Sequence, residues 1–169
     1  GGLRADVENL RGAVIEASHT TPESYDLQKL LREMADDGCR WAVMEVSSHA
    51  LLLERVHGLL FKAGVFTNLT HEHLDFHKTM DEYAAAKARL FAQSENAVIN
   101  FDDAYAPVMT AAAEAAGCPV TTFSTENDEA GLVAKRIRVS ADRVEFCALT
   151  MEKLQKIELG IPAMFTVYN

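Results

Sequence analysis

The sequence predicts an α/β fold: a doubly wound, mostly parallel sheet with flanking helices, plus a small antiparallel β appendage. Three observations lead there. Short apolar runs of strand length recur along the chain, helical patterns of about a dozen residues lie between them, and the texture changes to period-two alternation after about residue 131. Strands alternating with helices imply right-handed crossovers and a parallel sheet.

Taken in order, Thr21-Pro22-Glu23 opens a helix, with Thr21 as N-cap and Pro22 at the first helical position. Leu27, Leu30, Leu31 and Met34 then recur at helical spacing, and Gly38 ends the helix. The runs at 41–46 (WAVMEV) and 63–69 (AGVFTNL) read as buried parallel strands. Thr79-Met80-Asp81-Glu82 is a capping box opening a helix through residue 93. Residues 97–101 (AVINF) form a strand, 105–116 an alanine-rich helix stopped by Gly117, and 120–123 another strand. Residues 133–149 alternate around Ser140-Ala141-Asp142, which reads as a hairpin, and 156–169 continue in the same manner. The expected division is an α/β body over 1–125 and an antiparallel appendage over 126–169.

At 169 residues the chain is one domain, or one and a fragment. It carries 25 acidic against 16 basic side chains, a net charge of -9, and so has no footprint for nucleic acid. Any anionic substrate must then be met by metal ions or local donors. Cys39, Cys118 and Cys147 are scattered singly, which suits reduced thiols in a cytosolic protein. No apolar run is long enough for a membrane span, and the start lacks the apolar core of a signal peptide. The chain also opens without methionine, as a piece of something longer would.

In open α/β sheets ligands bind beyond the carboxyl ends of strands. Two polar segments sit there. Glu45-Val46-Ser47-Ser48-His49 crowds a carboxylate, hydroxyls and an imidazole at the end of an apolar run, and glutamate is rarely buried unpaired. The stretch 67–77 holds His71, His73 and His77, half of the six histidines. Imidazole with carboxylate suggests a divalent cation. The run His71-x-His73-x-Asp75-x-His77 is close to the HxHxDH signature of metallo-β-lactamase-like zinc hydrolases. But Phe76 separates Asp75 from His77, and no histidine follows to complete a zinc site. Magnesium needs only one or two protein ligands and leaves the rest to water and phosphates.

The strings HTTPESYDLQ, AVMEVSSHAL, VFTNLTHEHLDFHKTMDEYAAAKARLF, VINFDD and FTVYN, in that order, resemble the central domain of the Mur ligases, and the branch that adds the third residue of the peptidoglycan stem peptide. The resemblance implies a P-loop-NTPase-like fold and an ATP- and Mg2+-dependent ligase. ATP would phosphorylate a carboxylate of a UDP-muramyl dipeptide, and an incoming amino acid, most commonly meso-diaminopimelate, would attack the acyl phosphate. It further implies that Glu45 binds the magnesium at the β- and γ-phosphates, that His73 binds a second ion near the carboxylate to be activated, and that Lys87 is carbamylated and helps hold that second ion, these three being the catalytic set. A carbamate turns a cation into an anion and needs a neutral amine to form. Thr20, Thr21, Ser47 and Arg55 match substrate-contacting positions, where hydroxyls and a guanidinium suit carboxylate and phosphate. Asn169 matches the asparagine near the adenine. Asn100, Asp102 and Asp103 belong to the pattern but read as turn and strand-end structure, and His49, His71 and His77 as local hydrogen-bonding residues. The implied partners are small molecules, with no nucleic acid or membrane, in a cytoplasmic bacterial monomer.

The sequence departs from that pattern in three ways. The glycine-rich phosphate loop is absent from GGLRADVENLRGAVIEAS, the C-terminal domain that selects the amino acid does not follow, and Leu53 and His19 replace a common glutamine and asparagine. The segment alone is therefore expected to be inactive. A folylpolyglutamate-synthetase-like ligase, or a non-catalytic binding remnant of the same fold, are the alternatives.

Overall fold

The computed structural model describes residues 20–70 and 77–168. They fall into two compact units that part between Leu59 and Leu60.

The first unit contains helices α1 (Ser24–Asp36) and α2 (Ser48–Leu52). Helix α1 turns its Leu27, Leu30, Leu31 and Met34 stripe inward while the intervening positions are exposed. It ends on Gly38 at φ +84°, where Cys39 N–H donates to Met34 O and Gly38 N–H to Ala35 O. This double reach back across the last turn is the Schellman arrangement, open to glycine at no steric cost.

Two expectations are corrected here. The helix starts at Ser24 with Glu23 at the N-cap, not at Thr21, because the Thr21 hydroxyl is buried and engaged elsewhere. The run 41–46 is not a buried strand. Trp41 is 76% and Val43 96% exposed, and the described part of this unit offers no strand for the run to pair with.

The second unit is built on one six-stranded sheet: β1 (Gly64–Phe66), β2 (Ala97–Asn100), β3 (Val120–Ser124), β4 (Leu132–Val139), β5 (Val144–Leu149) and β6 (Leu154–Leu159), in that spatial order. Strands β1 to β4 are mutually parallel, and β5 and β6 are added antiparallel. Helices α3 (Met80–Ala88) and α4 (Ala106–Ala115) flank the sheet and pack on each other.

Half of the capping box is as read, Glu82 N–H donating to Thr79 Oγ1, while the Glu82 carboxylate accepts Lys78 N–H, one residue before the N-cap. Past Ala88 the helix tightens into a 3-10 turn, Arg89–Gln93. Helix α4 ends like α1, on Gly117 at φ +70° with Cys118 N–H bonded to Ala113 O. Phe66, Tyr83, Phe91, Ile99 and Met109 lead the core, with alanines 84, 97, 106 and 113 allowing close approach. Strand β1 is buried at Gly64 and Phe66 only, Val65 being 52% exposed.

The hairpin at Ser140-Ala141-Asp142 is present: Val139 pairs with Val144, and Ser140 N–H donates to Arg143 O. The antiparallel strands continue the parallel sheet, since β4 pairs with β3 before β5 folds back on it. The expected alternation does not persist to the C-terminus. After Gly160, Pro162 has no N–H to give a ladder, and Met164–Val167 coil into a 3-10 turn.

Candidate functional site

In the first unit Thr21 joins two other expected substrate residues, Ser47 and Arg55, to the backbone of Glu45. Thr21, 1% exposed, donates its hydroxyl to Glu45 O (3.0 Å) and accepts Ser47 N–H (3.1 Å). One hydroxyl thus stitches the end of the 41–46 run to the entry of α1. Ser47 is the N-cap of α2, its Oγ accepting Ala50 N–H at 3.1 Å. Arg55 donates through Nη1 to Thr21 O (3.3 Å) and pairs through Nη2 with Glu23 (2.6 Å), while its buried Nε has no acceptor among the described residues. Thr20 precedes this knot and is half-buried, as is the Glu45 side chain.

Replacing Thr21 by the isosteric valine leaves Ser47 N–H without its partner. Thr21→Val is expected to cost about 1–3 kcal/mol, read as a lower urea midpoint at unchanged slope.

Arg55 is aimed by strain. Glu54 holds φ +56°, and Arg55 N–H reaches back to Ala50 O at the end of α2. The left-handed region costs a non-glycine residue about 1–2 kcal/mol, more than the about 0.4–1 kcal/mol that glycine's looser unfolded chain takes back. Glu54→Gly should therefore raise the urea midpoint.

In the second unit Lys87 lies on α3, half-buried, with Nζ 5.6 Å from the centroid of the Tyr83 ring. Tyr83 in turn stacks on His77 at 4.8 Å and 19° between planes. His77, 3% exposed, is a packed ring. His73, His71, Asn169 and His19 lie outside the described residues. Glu45 belongs to the first unit and Lys87 to the second.

Among the described residues no three His, Cys, Asp or Glu side chains converge. Sparse carboxylate ligation is what magnesium takes, and the half-buried Glu45 carboxylate is a donor of that kind. Lys87 as an ammonium cannot ligate, and only a carbamate would give it the oxygen donors magnesium takes.

The turn after β2 carries more than sequence reading gave it. Asn100 Nδ2 donates to Thr67 O (2.7 Å), and Asp103 accepts Leu69 N–H (2.9 Å) and Tyr105 N–H (2.8 Å), so both fix the loop that follows β1. Asp102 accepts from the Ser124 hydroxyl, from Thr125 N–H (2.7 Å) and Oγ1 (3.1 Å), and from Tyr168 OH (3.3 Å). Burial pushes the Asp102 carboxyl up, but these donors together hold it below the usual carboxylate range. A lowered native value means the stabilisation is present above the ordinary carboxylate range and is lost as pH falls through that lowered value. The signal was available in Asn-x-Asp-Asp directly after an apolar strand, but the partners Thr125 and Tyr168 are too distant in sequence to be inferred.

Residues 3–169 match the model of the Mur ligase middle domain. The chain belongs to the Mur ligase middle-domain family. Among Mur ligases it is 44% identical over 170 residues to UDP-N-acetylmuramoyl-L-alanyl-D-glutamate–2,6-diaminopimelate ligase of Caldanaerobacter subterraneus subsp. tengcongensis, covering 99% of this chain and 34% of that protein. It is 41% identical to the ligase of the same name from Clostridium perfringens, covering 99% and 35%. A solved structure of a ligase of that name superposes with TM-score 0.83 at 32% identity, over 91% of this chain and 32% of that one. The chain thus spans about a third of the length of the Mur ligases it matches. Among the described residues no helix is long and apolar enough to cross a membrane.

Proposed function

We propose that this chain is the central, ATP-binding segment of a ligase that joins meso-diaminopimelate to UDP-N-acetylmuramoyl-L-alanyl-D-glutamate, with ATP cleaved to ADP and phosphate. The observation that carries this reading is 44% identity across 99% of the chain to a ligase with that name. Domains on either side, in a longer cytoplasmic protein acting as a monomer, would complete the phosphate loop and select the amino acid.

A carboxylate oxygen of the dipeptide attacks the γ-phosphorus and ADP leaves. The amine of diaminopimelate then attacks the acyl carbon and loses a proton, and phosphate departs with one former carboxylate oxygen. Glu45 would hold one Mg2+, and His73 with carbamylated Lys87 a second, and when bound these ions offset the repulsion among the anionic groups. Thr20, Ser47 and Arg55 orient the muramyl substrate, and the buried Thr21 acts through them by holding Ser47 N–H and the Arg55 guanidinium in place. Support for Arg55 comes from its low exposure and its fixed guanidinium, braced by Glu23 and Thr21. Asn169 contacts the adenine.

The test is oxygen transfer in the complete protein. With 18O in the acceptor carboxylate, each turnover should place one label in inorganic phosphate. Label in AMP, from an acyl adenylate, would contradict the acyl phosphate route. A folylpolyglutamate-type ligase would instead show turnover with a folate acceptor and none with the muramyl dipeptide.

A further inference from the structure

We infer that Glu23 is a stand-in for an anionic ligand at Arg55. Its carboxylate holds one half of the guanidinium's side-on edge in the free protein, and a carboxylate or phosphate of the substrate takes that edge by displacing it. The inference deepens the ligase reading and rests on it for the identity of the anion.

Arg55 is a cation withdrawn from water. Its side chain is 15% exposed, against 56% for Glu23, and Glu23 is the one carboxylate paired with it among the described residues. A guanidinium presents Nε–H and one Nη2–H as a parallel pair, which an oxyanion fills with two oxygens. Glu23 does not fill it. Its Oε1 meets Nη2 at 2.6 Å, while the buried Nε has no acceptor among the described residues. Burying an N–H without an acceptor is unfavourable, and withdrawing a charge without a counter-ion is more so. Glu23 offsets the second cost and leaves the first. An oxyanion seated squarely on the same edge therefore gains a hydrogen bond that Glu23 does not make.

The guanidinium is aimed without Glu23. Thr21 O holds Nη1 at 3.3 Å, and Thr21 is itself tied to Glu45 and Ser47. Arg55 N–H reaches Ala50 O (2.9 Å) just after the left-handed Glu54 at φ +56°. None of these contacts involves the Glu23 side chain. That carboxylate has no other partner among the described residues, and although Glu23 is the N-cap of α1 it makes no side-chain cap bond. Its release gives up a single half-exposed ion pair, which is worth little. Two anions cannot share one edge, so removing the charge of Glu23 strengthens binding, whereas removing a needed brace would weaken it.

The test uses the complete ligase with Glu23→Gln, Glu23→Ala and Arg55→Ala. Titration calorimetry with UDP-N-acetylmuramoyl-L-alanyl-D-glutamate, without ATP, should show binding about three- to fivefold tighter in both Glu23 variants, the worth of the displaced pair. Arg55→Ala should bind more weakly. In ligase labelled with 15N-arginine, the Nε–H resonance missing from Arg55→Ala should move downfield when the same ligand is added, as Nε gains an oxygen acceptor. UDP-N-acetylglucosamine carries the diphosphate and no carboxylate. The same shift with it assigns the edge to a phosphate, and a shift with the muramyl dipeptide alone assigns it to a carboxylate.

Unchanged or weaker binding in Glu23→Gln, with Arg55→Ala still impaired, would overturn the stand-in and leave Arg55 as a substrate contact that Glu23 braces. An Nε–H resonance that moves with neither ligand would overturn the exchange at that edge. Unchanged binding in Arg55→Ala would overturn the substrate contact itself. Should Arg55→Ala fail to fold, Arg55→Lys keeps the charge, lacks the edge and takes its place.

Discussion

Lys87→Ala, introduced into the complete ligase, is expected to lower kcat by about two to three orders of magnitude, with a much smaller change in KM for ATP. The loss is of transition-state stabilisation, because the anion that Lys87 would carry as a carbamate helps hold charge that develops at the acceptor carboxylate. The informative companion is Lys87→Arg. Arginine keeps a cation over the Tyr83 ring, where Lys87 Nζ stands 5.6 Å from the centroid, yet it cannot present the neutral amine that carbon dioxide requires. Lys87→Arg should therefore be as impaired as Lys87→Ala. If it retains turnover, Lys87 acts as a cation packed on an aromatic ring, and the carbamate assignment is wrong.

Phe91→Ala carries the largest expected effect on stability. Phe91, on the 3-10 turn that links α3 to β2, is 2% exposed and packs in the cluster with Ile99 and Met109. Truncation removes most of its buried ring and leaves a cavity in a close-packed interior, at a cost of about 3–5 kcal/mol. Urea unfolding should show a large drop in midpoint. A loss below about 1 kcal/mol would mean that the second unit collapses around the gap and that this cluster is not its core.

Legibility in the sequence followed the range of the interactions. The stops at Gly38 and Gly117 and the cap at Thr79 are local, decided by residues within one turn of each other, and each is found where expected. The strands at 97–100 and 120–124 are short apolar runs between unmistakable helices, and their parallel pairing follows. The run 41–46 misled because strand character is a property of a pair, and an apolar hexapeptide says nothing of whether a neighbour exists. Thr21 misled for a related reason. A threonine before Pro-Glu is a good N-cap in isolation, but its hydroxyl had a competing offer from Glu45 O and Ser47 N–H, 24 and 26 residues away.

The candidate site was legible as residue types and family pattern, and much less so as supporting structure. Glu45 stood out by chemistry and Arg55 by the family pattern, but the brace from Thr21 and Glu23 did not. Asp102 was readable as a strand-end turn residue. Its part in holding Tyr168, 66 residues on, arises only when the strand ends are brought together.

The central claim is tested most directly by the product. The complete protein, given UDP-N-acetylmuramoyl-L-alanyl-D-glutamate, meso-diaminopimelate, ATP and Mg2+, should form the UDP-muramyl tripeptide by mass spectrometry, with one ADP and one phosphate per amide bond. Phosphate release without the tripeptide, or tripeptide formed with AMP and pyrophosphate as by-products, would contradict the account.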